Sequence, residues 1–281
     1  MSVDDLMTML TAGLVGYGIA AGLARLRLAA PPAALMRTNV SGAQVPAALG
    51  GPLIVAGLTA LACLALVAAL GWDPARLGAT GVAVAAAVVV MAIAGSWDDR
   101  RGDERPRGFK GHLGALRGGR LTGGVLKIVA GFVAGSLAGA LLFTDDLQAA
   151  VATALLVALG ANTVNLFDRA PGRAGKFVFL IATPLMALGG VHWAIAAAGM
   201  LGALSACLPL DLGEKAMLGD AGANPLGALL GVGLAVSLGG VGRWVAVVAL
   251  VALNLISERW SFSAAIANSP WLNRLDQMGR K

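Results

Sequence analysis

Long apolar runs alternate with short polar connections along almost the whole chain. Each run is about 17 to 23 residues long, which is the length that an α-helix needs to cross a bilayer. The runs are continuous, whereas a membrane β-barrel would alternate apolar and polar positions. We therefore predict an all-α fold, a polytopic membrane helical bundle of about nine transmembrane helices. The predicted segments cover approximately 7–29, 49–71, 78–95, 123–143, 146–166, 175–190, 191–209, 222–240 and 241–257.

Composition supports this prediction and favours a single integral-membrane domain over residues 1–281. The chain is 58% hydrophobic and only 13% charged. Soluble proteins carry roughly 25% charged residues, so a conventional water-soluble core is excluded. The 40 glycines suit closely packed membrane helices, whose interfaces favour small side chains.

The Lys and Arg residues lie almost entirely on one predicted face of the membrane. This face carries the loops 30–48, 96–122, 167–174 and 210–221 and the tail 258–281. Of the 21 basic residues, only Arg76 and Arg243 fall on the other face. Because cytoplasmic loops are enriched in Lys and Arg, we expect this face to be cytoplasmic, with the N-terminus outside a cell (inner or plasma) membrane and the C-terminus inside. The net charge of +6 favours membrane lipid headgroups or phosphorylated substrates, and not nucleic acid, as partners.

Acidic residues are placed where predicted segments meet the cytoplasmic face: Asp98, Asp99, Asp168 and Asp220. A carboxylate at the edge of the hydrocarbon costs free energy unless a cation or a proton neutralises it. Separated acids that converge on one surface therefore indicate a functional site. For the adjacent pair Asp98 and Asp99 taken alone, the alternative is a polar cap that stops the third helix at the headgroups.

A polar stripe ends the fifth segment. Asn162, Asn165 and Asp168 follow one another at intervals of three, which places them on one face of a helix. They either hydrogen-bond to a neighbouring helix or present amide and carboxylate groups to a polar ligand.

Two further charged residues have a structural and a functional interpretation. Asp220 follows Gly219 at the start of the eighth segment. It is either the N-cap of that helix or a carboxylate held where Mg²⁺ and phosphate groups can come close. Lys127, one turn into the fourth segment, either extends its ammonium to the interface or binds phosphate.

In order along residues 37–228, these motifs resemble the polyprenyl-phosphate N-acetylhexosamine-1-phosphate transferase superfamily (glycosyltransferase family 4). That group includes phospho-N-acetylmuramoyl-pentapeptide transferase and undecaprenyl-phosphate GlcNAc-1-phosphate transferase. Each motif alone is weak, whereas their order and their common predicted face make the resemblance specific. The motifs are Pro-x-x-x-Gly-Gly at 46–51, Asp-Asp at 98–99, Lys127, Asn-x-x-Asn-Leu-x-Asp at 162–168 and Gly-Asp-x-Gly at 219–222.

The resemblance implies a transfer reaction at the membrane surface. A sugar 1-phosphate, expected to be an N-acetylhexosamine 1-phosphate, passes from a UDP-sugar, the nucleotide-sugar donor, to polyprenyl phosphate. The products are a polyprenyl-diphosphate-sugar, used for cell-envelope glycan synthesis, and UMP. The implied cofactor is Mg²⁺, with Mn²⁺ as a substitute, and related enzymes often form a homodimer.

The same resemblance implies roles for individual residues. Asp98, Asp99 and Asp220 are the implied catalytic residues, with Asp220 and Asp99 as the implied metal ligands. Which of the adjacent pair takes a proton from the lipid phosphate, and which helps to hold the metal, stays open. The implied substrate-binding residues are Asn162, Asn165, Asp168, Lys127, Arg173, Arg37 and Asn39.

The chain departs from the family pattern at two places. After the Asn-x-x-Asn-Leu-x-Asp stretch, relatives carry a second aspartate where this chain has Pro171, with Arg169, Arg173 and Lys176 nearby. The family's C-terminal histidine cluster is also absent. We therefore hypothesise that this loop, with Arg169, Arg173 and Lys176, contacts an anionic part of the donor through bidentate arginine hydrogen bonds. Binding of lipid headgroups is the alternative.

Two other classes of function compete with a transferase. A non-catalytic relative that binds polyprenyl phosphate, or that scaffolds envelope assembly, does not need acids at the membrane surface. A small-solute transporter would place its binding site near the bilayer midplane. The predicted position of the acids at one face therefore favours the transferase.

Overall fold

The computed structural model of the protein describes residues 1–70, 77–101, 122–188 and 190–280. Over these residues it is 81% helical with 11 helices and almost no sheet, which confirms the predicted all-α fold class. The helices are α1 (Val3–Ala29), α2 (Gly50–Ala69), α3 (Gly78–Arg101), α4 (Gly123–Leu142), α5 (Leu147–Phe167), α6 (Arg173–Leu188), α7 (Gly190–Leu212), α8 (Asp220–Ser237), α9 (Gly240–Ser257), α10 (Phe262–Asn268) and α11 (Pro270–Gln277).

Helices α1 to α9 each coincide with one of the predicted apolar segments. In the described part of the chain, 7 helices are long and apolar enough to cross a membrane, namely α1, α2, α3, α4, α5, α7 and α9. The prediction of a helical membrane protein is thereby confirmed at this level. Helix α6 has 16 residues, fewer than the roughly 20 that a span perpendicular to the bilayer needs.

The largest difference from the predicted boundaries concerns α3. The helix was expected to end near residue 95 but continues to Arg101, so Asp98 and Asp99 lie on its last turns and not in a loop. The rest of the predicted loop 96–122 falls mostly on residues 102–121, which lie outside the described residues.

A small β-hairpin occupies the segment that was predicted as loop 30–48. A 3₁₀ turn over Ala33–Leu35 leads into β1 (Met36–Thr38), which pairs antiparallel with β2 (Gln44–Pro46). The backbone N–H of Asn39 donates to the carbonyl of Ala43 at 2.9 Å and closes the hairpin. The sequence analysis missed this element because strands this short carry no hydropathy pattern.

Helix α8 lies at the centre of the bundle. It packs against α2, α3, α4, α5, α6, α7 and α9, and every residue from Ala221 to Gly233 is buried. Close packing against α3 depends on Gly95, since a Cβ there would lie 2.2 Å from the carbonyl oxygen of Asp220. Small residues therefore bring the end of α3 against the start of α8.

Short polar side chains begin the helices that flank this centre. The hydroxyl of Thr122 accepts the N–H of Val125 at 3.3 Å at the start of α4. The carboxylate of Asp146 accepts the N–H of Ala149 at 2.9 Å at the start of α5. Each cap satisfies a backbone donor that has no partner within its own helix.

Candidate functional site

The last turns of α3, the first turns of α4 and the start of α8 meet at one end of the bundle. There the ammonium of Lys127 lies 2.6 Å from a carboxylate oxygen of Asp98 and also donates to the carboxylate of Asp220. We call these residues the shared-lysine site. The side chain of Asp98 is 2% exposed, whereas those of Lys127 and Asp220 are 18% and 20% exposed. The site is therefore buried on one side and reachable from the other.

The two adjacent aspartates of α3 have different partners. Whereas Asp98 pairs with Lys127, the two oxygens of Asp99 accept the backbone N–H groups of Asp220 at 3.0 Å and Ala221 at 2.8 Å. Asp99 therefore caps α8, where a negative charge also interacts favourably with the helix dipole. Of the pair, the structure places Asp98, and not Asp99, beside the shared ammonium.

The interpretation of Asp220 as an N-cap is wrong. Gly219 occupies the N-cap position of α8 with a φ of 71°, and Asp220 is the first helical residue. This left-handed φ suits glycine, and a Cβ at the position would lie 3.0 Å from an oxygen of Asp99. The side chain of Asp220 is consequently turned away from capping and is available to Lys127. Lys127 was also interpreted as a lysine that extends its ammonium to the interface. Its ammonium instead contacts the carboxylates of Asp98 and Asp220.

Asp168, directly after α5, belongs to the same acidic neighbourhood. Burial raises the pKa of Asp168 well above its usual value. Repulsion by Asp211, Asp220 and Asp99 adds to the rise, while a hydrogen bond from the backbone N–H of Gly219 opposes it. Acids from α3, α5, α7 and α8 thus lie within electrostatic reach of one another, as the sequence analysis expected for three of these helices.

The hairpin is fastened to the loop that precedes α8. The N–H of Met217 donates to the carbonyl of Pro46 at 2.9 Å, and the N–H of Gly50 donates to the carbonyl of Leu218 at 3.1 Å. Because both bonds are made by the two residues directly before Gly219, they fix the backbone that leads to Asp220.

Arg37 and Asn39 of the hairpin lie beside the same loops. Arg37 donates to the backbone carbonyl of Asp99, and the buried Asn39 donates to the carboxylate of Glu214. Glu214, with a φ of 51°, is the single non-glycine residue with a positive φ among those described. The sequence analysis did not single out Glu214, because nothing in its local sequence marks it as the partner of a residue 175 positions away.

The polar residues of the stripe on α5 have different surroundings. Asn162 donates to the side chain of Asn254 on α9, and Asn254 in turn donates to the hydroxyl of Thr163 at 2.9 Å. Asn162 therefore takes the helix-packing role that was the alternative to ligand binding. Asn165 is half-buried one turn before Asp168.

Arg173, at the start of α6, holds the C-terminal tail. Its guanidinium forms two hydrogen bonds of 2.8 Å with Asp276 of α11 and one of 2.7 Å with the hydroxyl of Ser263. Arg280 lies 2.8 Å from the same carboxylate, and Lys176 donates to backbone carbonyls at the end of α11. We call Arg173, Lys176, Asp276 and Arg280 the tail cluster.

The tail cluster also reaches the loop that follows Asp168. Arg280 donates to the carbonyl of Pro171 at 3.0 Å, and Asp211 accepts the N–H of Gly172 at 3.0 Å. Burial acts to raise the pKa of Asp276, but the hydrogen bonds and charges of its basic neighbours outweigh it and hold that pKa below the usual value. The i, i+4 spacing of Asp276 and Arg280 is the signal by which the sequence could have indicated this cluster.

The shared-lysine site offers oxygen ligands that suit a hard divalent cation. Among the described residues, no group of three or more His, Cys, Asp and Glu side chains could hold a metal ion. Asp98 and Asp220 nevertheless direct carboxylates at a common cation, the ammonium of Lys127. Mg²⁺ is commonly held by one or two carboxylates, with phosphate oxygens and water completing its shell. The donor set therefore fits Mg²⁺ in company with a phosphorylated ligand.

No protein-family model and no curated protein matches this chain. A function must therefore be inferred from the chemistry of the site and from the order of the motifs along the sequence. Both point to the end of the bundle where α3, α4 and α8 meet.

Proposed function

We propose that this protein is a multi-pass membrane enzyme that transfers a sugar 1-phosphate from a nucleotide-sugar donor to polyprenyl phosphate. The observation that carries the proposal is the convergence of Asp98, Lys127 and Asp220 from three helices. These residues belong to separate motifs of the transferase-like pattern, and packing brings them within one salt-bridged site.

In the proposed topology α6 and α8 also cross the membrane, which gives nine spans. The N-terminus lies outside and the shared-lysine site lies on the cytoplasmic side, because that orientation places the basic loops in the cytoplasm. Helix α8 needs little apolar surface of its own, since protein surrounds it.

Cysteine labelling tests this orientation. In a Cys63→Ala background, Asp145→Cys lies in an exposed turn between α4 and α5, and Lys215→Cys lies in an exposed loop before α8. A membrane-impermeant maleimide added to intact cells should label position 145 but not position 215. Labelling of 215 from outside would place the site on the wrong side for cytoplasmic donors.

The residues of the site have distinct roles in the proposed reaction. Asp98 and Asp220 would hold Mg²⁺, which supplies charge neutralisation to the donor diphosphate. Lys127 contributes a further positive charge for the phosphate oxygens. Asp99 positions Asp220 by capping α8, and Asp168 with Asn165 would orient the nucleotide. An oxygen of the lipid phosphate forms a bond to the β-phosphorus while the bond from that phosphorus to the oxygen of UMP breaks, so positioning and charge carry most of the catalysis.

The test is a reaction with defined substrates. Purified protein is incubated with Mg²⁺, undecaprenyl phosphate and a panel of UDP-sugars, and UMP release is measured together with the lipid-linked product. Asp220→Asn should abolish turnover while the protein stays folded, and Asp145→Asn, in an exposed turn, should leave turnover unchanged. Turnover of Asp220→Asn near that of the wild type would remove Asp220 from the mechanism. Absence of product with every donor, alongside saturable binding of undecaprenyl phosphate, would favour the non-catalytic alternative.

A further inference from the structure

Lys127 lies at the position that a metal ion held by Asp98 and Asp220 would need. Its ammonium is 2.6 Å from Asp98 and also contacts Asp220. A Mg²⁺ ion binds its oxygen ligands at about 2.0 to 2.1 Å, so the ion and the ammonium cannot both lie between these carboxylates. Two cations at that separation would also repel each other strongly in a partly buried site.

Asp99 does not relieve this conflict. Each of its oxygens accepts a backbone N–H at the start of α8, and any lone pair that it still offers to a metal does not free Asp98 or Asp220 from Lys127. The protein therefore offers a metal two carboxylates that already have a cation. Binding of the metal alone must first separate Lys127 from both of them.

We propose that Lys127 is an exchangeable counter-ion. When a divalent cation binds, the ammonium of Lys127 moves away from the carboxylates of Asp98 and Asp220 and binds the donor diphosphate instead. The side chain is 18% exposed and flexible enough to move its ammonium while α4 stays in place. The diphosphate supplies negatively charged oxygens, which replace the two carboxylates as partners of Lys127. This inference rests on the proposed function for the chemical class of the donor.

Exchange of partners makes metal and nucleotide binding cooperative. Each ligand removes an obstacle for the other, because the metal displaces Lys127 and the diphosphate receives it. Thermodynamic linkage requires that the nucleotide strengthens metal binding by the same factor as the metal strengthens nucleotide binding. A lysine that only neutralised the donor, without occupying the metal position, would leave binding of the metal alone unaffected.

The experiment measures Mn²⁺ binding by electron paramagnetic resonance, with UDP as the diphosphate probe. Wild-type protein should bind Mn²⁺ about tenfold more tightly when UDP is present. Lys127→Gln should bind Mn²⁺ about tenfold more tightly than wild type without UDP, and UDP should then add less. Lys127→Arg keeps the positive charge and should bind Mn²⁺ no more tightly than wild type. Lys215→Gln removes an exposed lysine from a neighbouring loop and serves as the matched control, with wild-type affinity.

Equal or weaker Mn²⁺ binding by a folded Lys127→Gln protein overturns the proposal. If that variant does not fold, the wild-type comparison decides, because equal Mn²⁺ affinity with and without UDP contradicts the exchange. Since the measurement involves no turnover, it separates two failures. Sugar transfer without the Lys127 effect removes only the exchange, whereas the Lys127 effect without sugar transfer leaves the exchange in place and removes the proposed reaction.

Discussion

The shared-lysine site and the tail cluster both combine acidic and basic side chains, but in opposite proportions. In the first, one lysine contacts two aspartates. In the second, one aspartate contacts two arginines, with a lysine on the adjacent backbone carbonyls. The comparison shows how one type of interaction serves two purposes within a single bundle.

Exposure and hydrogen bonding separate the two regions. Lys127 and Asp220 are 18% and 20% exposed, whereas Arg173 and Asp276 are 9% and 6% exposed. The guanidinium of Arg173 is also held in a bidentate geometry that suits a permanent contact. Lys127 and Asp220 are therefore more exposed than the charged side chains of the tail cluster, although Asp98 is buried, while the tail cluster links the tail to the loop after Asp168.

After the loss of turnover expected for Asp220→Asn, the largest expected effect comes from Asp98 in the shared-lysine site. Asp98→Asn removes a charge from the metal position and should lower turnover by about 10³-fold, the scale of losing one group that stabilises the transition state. The measurement is UMP release under saturating substrates, with Asp145→Asn as control. Wild-type turnover would mean that Asp98 only holds Lys127 in place. The shared-lysine site and the tail cluster would then not differ in a catalytic role for their buried aspartates.

Substitutions in the tail cluster should lower the stability of the protein and leave turnover unchanged. Asp276→Ala leaves the buried Arg173 without its carboxylate and should lower the free energy of unfolding by about 3 kcal/mol. Thermal unfolding in detergent measures the loss, and faster tryptic cleavage at Arg274 should show that the tail is released. The paired replacement Arg173→Met with Asp276→Leu should recover most of the stability, since it removes both charges.

Donor binding by Arg173, which the sequence suggested, requires its pair with Asp276 to open. Reversing the pair, with Arg173→Glu and Asp276→Arg together, keeps the attraction and changes only which residue carries which charge. The reversed protein should be more stable than Arg173→Glu alone and should show an unchanged donor KM. A strongly raised KM in a stable reversed protein would instead support direct contact between Arg173 and the donor.

A smaller effect is expected for the cap of α8. Asp99→Ala removes the acceptor for two backbone N–H groups and should lower the free energy of unfolding by about 1 to 2 kcal/mol. Because the cap also positions Asp220, turnover should fall as well, and Asp99→Asn should recover part of both losses by keeping one acceptor. Unfolding in denaturant and UMP release are measured on the same preparations. Loss of turnover without loss of stability would show that Asp99 acts directly on a substrate.

The smallest effect is expected outside both regions, at the contact between α5 and α9. Asn254→Leu removes the hydrogen bonds to Asn162 and Thr163 and should cost about 1 kcal/mol, since side-chain hydrogen bonds between membrane helices average about 0.6 kcal/mol each. Val248→Leu, on the exposed face of α9, is the control. A severe loss of donor binding in Asn254→Leu would return Asn162 to the substrate site.

Much of the fold could be predicted because a bilayer leaves few choices to the backbone. Apolar runs must form helices in which every N–H and C=O is bonded, so α1 to α9 appear where the hydropathy places them. The end of α3 could not be predicted this way. Its charged last turns remain helical because Asp98 pairs with Lys127 on α4 and Asp99 accepts N–H groups of α8. Contacts between distant helices cannot be predicted from the local sequence.

The site was predicted in outline and not in its pairings. The sequence indicated which acids reach one face, but Lys127 and Asp220 are 93 positions apart, and Asp99 and Asp220 are 121 apart. No local pattern links residues at such separations. Arg173 and Asp276, 103 positions apart, show the same limit, since an arginine that looked available to a ligand already has a partner.

The enclosure of α8 has a consequence for how the protein is made. The translocon releases a helix into lipid more readily the more apolar it is, and α8 starts with Asp220 and carries the buried Asn224. Because neighbouring helices cover its surface, its polar groups need never face lipid in the finished protein. We expect α8 to insert poorly when synthesised alone and to be retained efficiently once α3 and α5 are already in the membrane. The shared-lysine site would then be completed only after most of the bundle has been assembled.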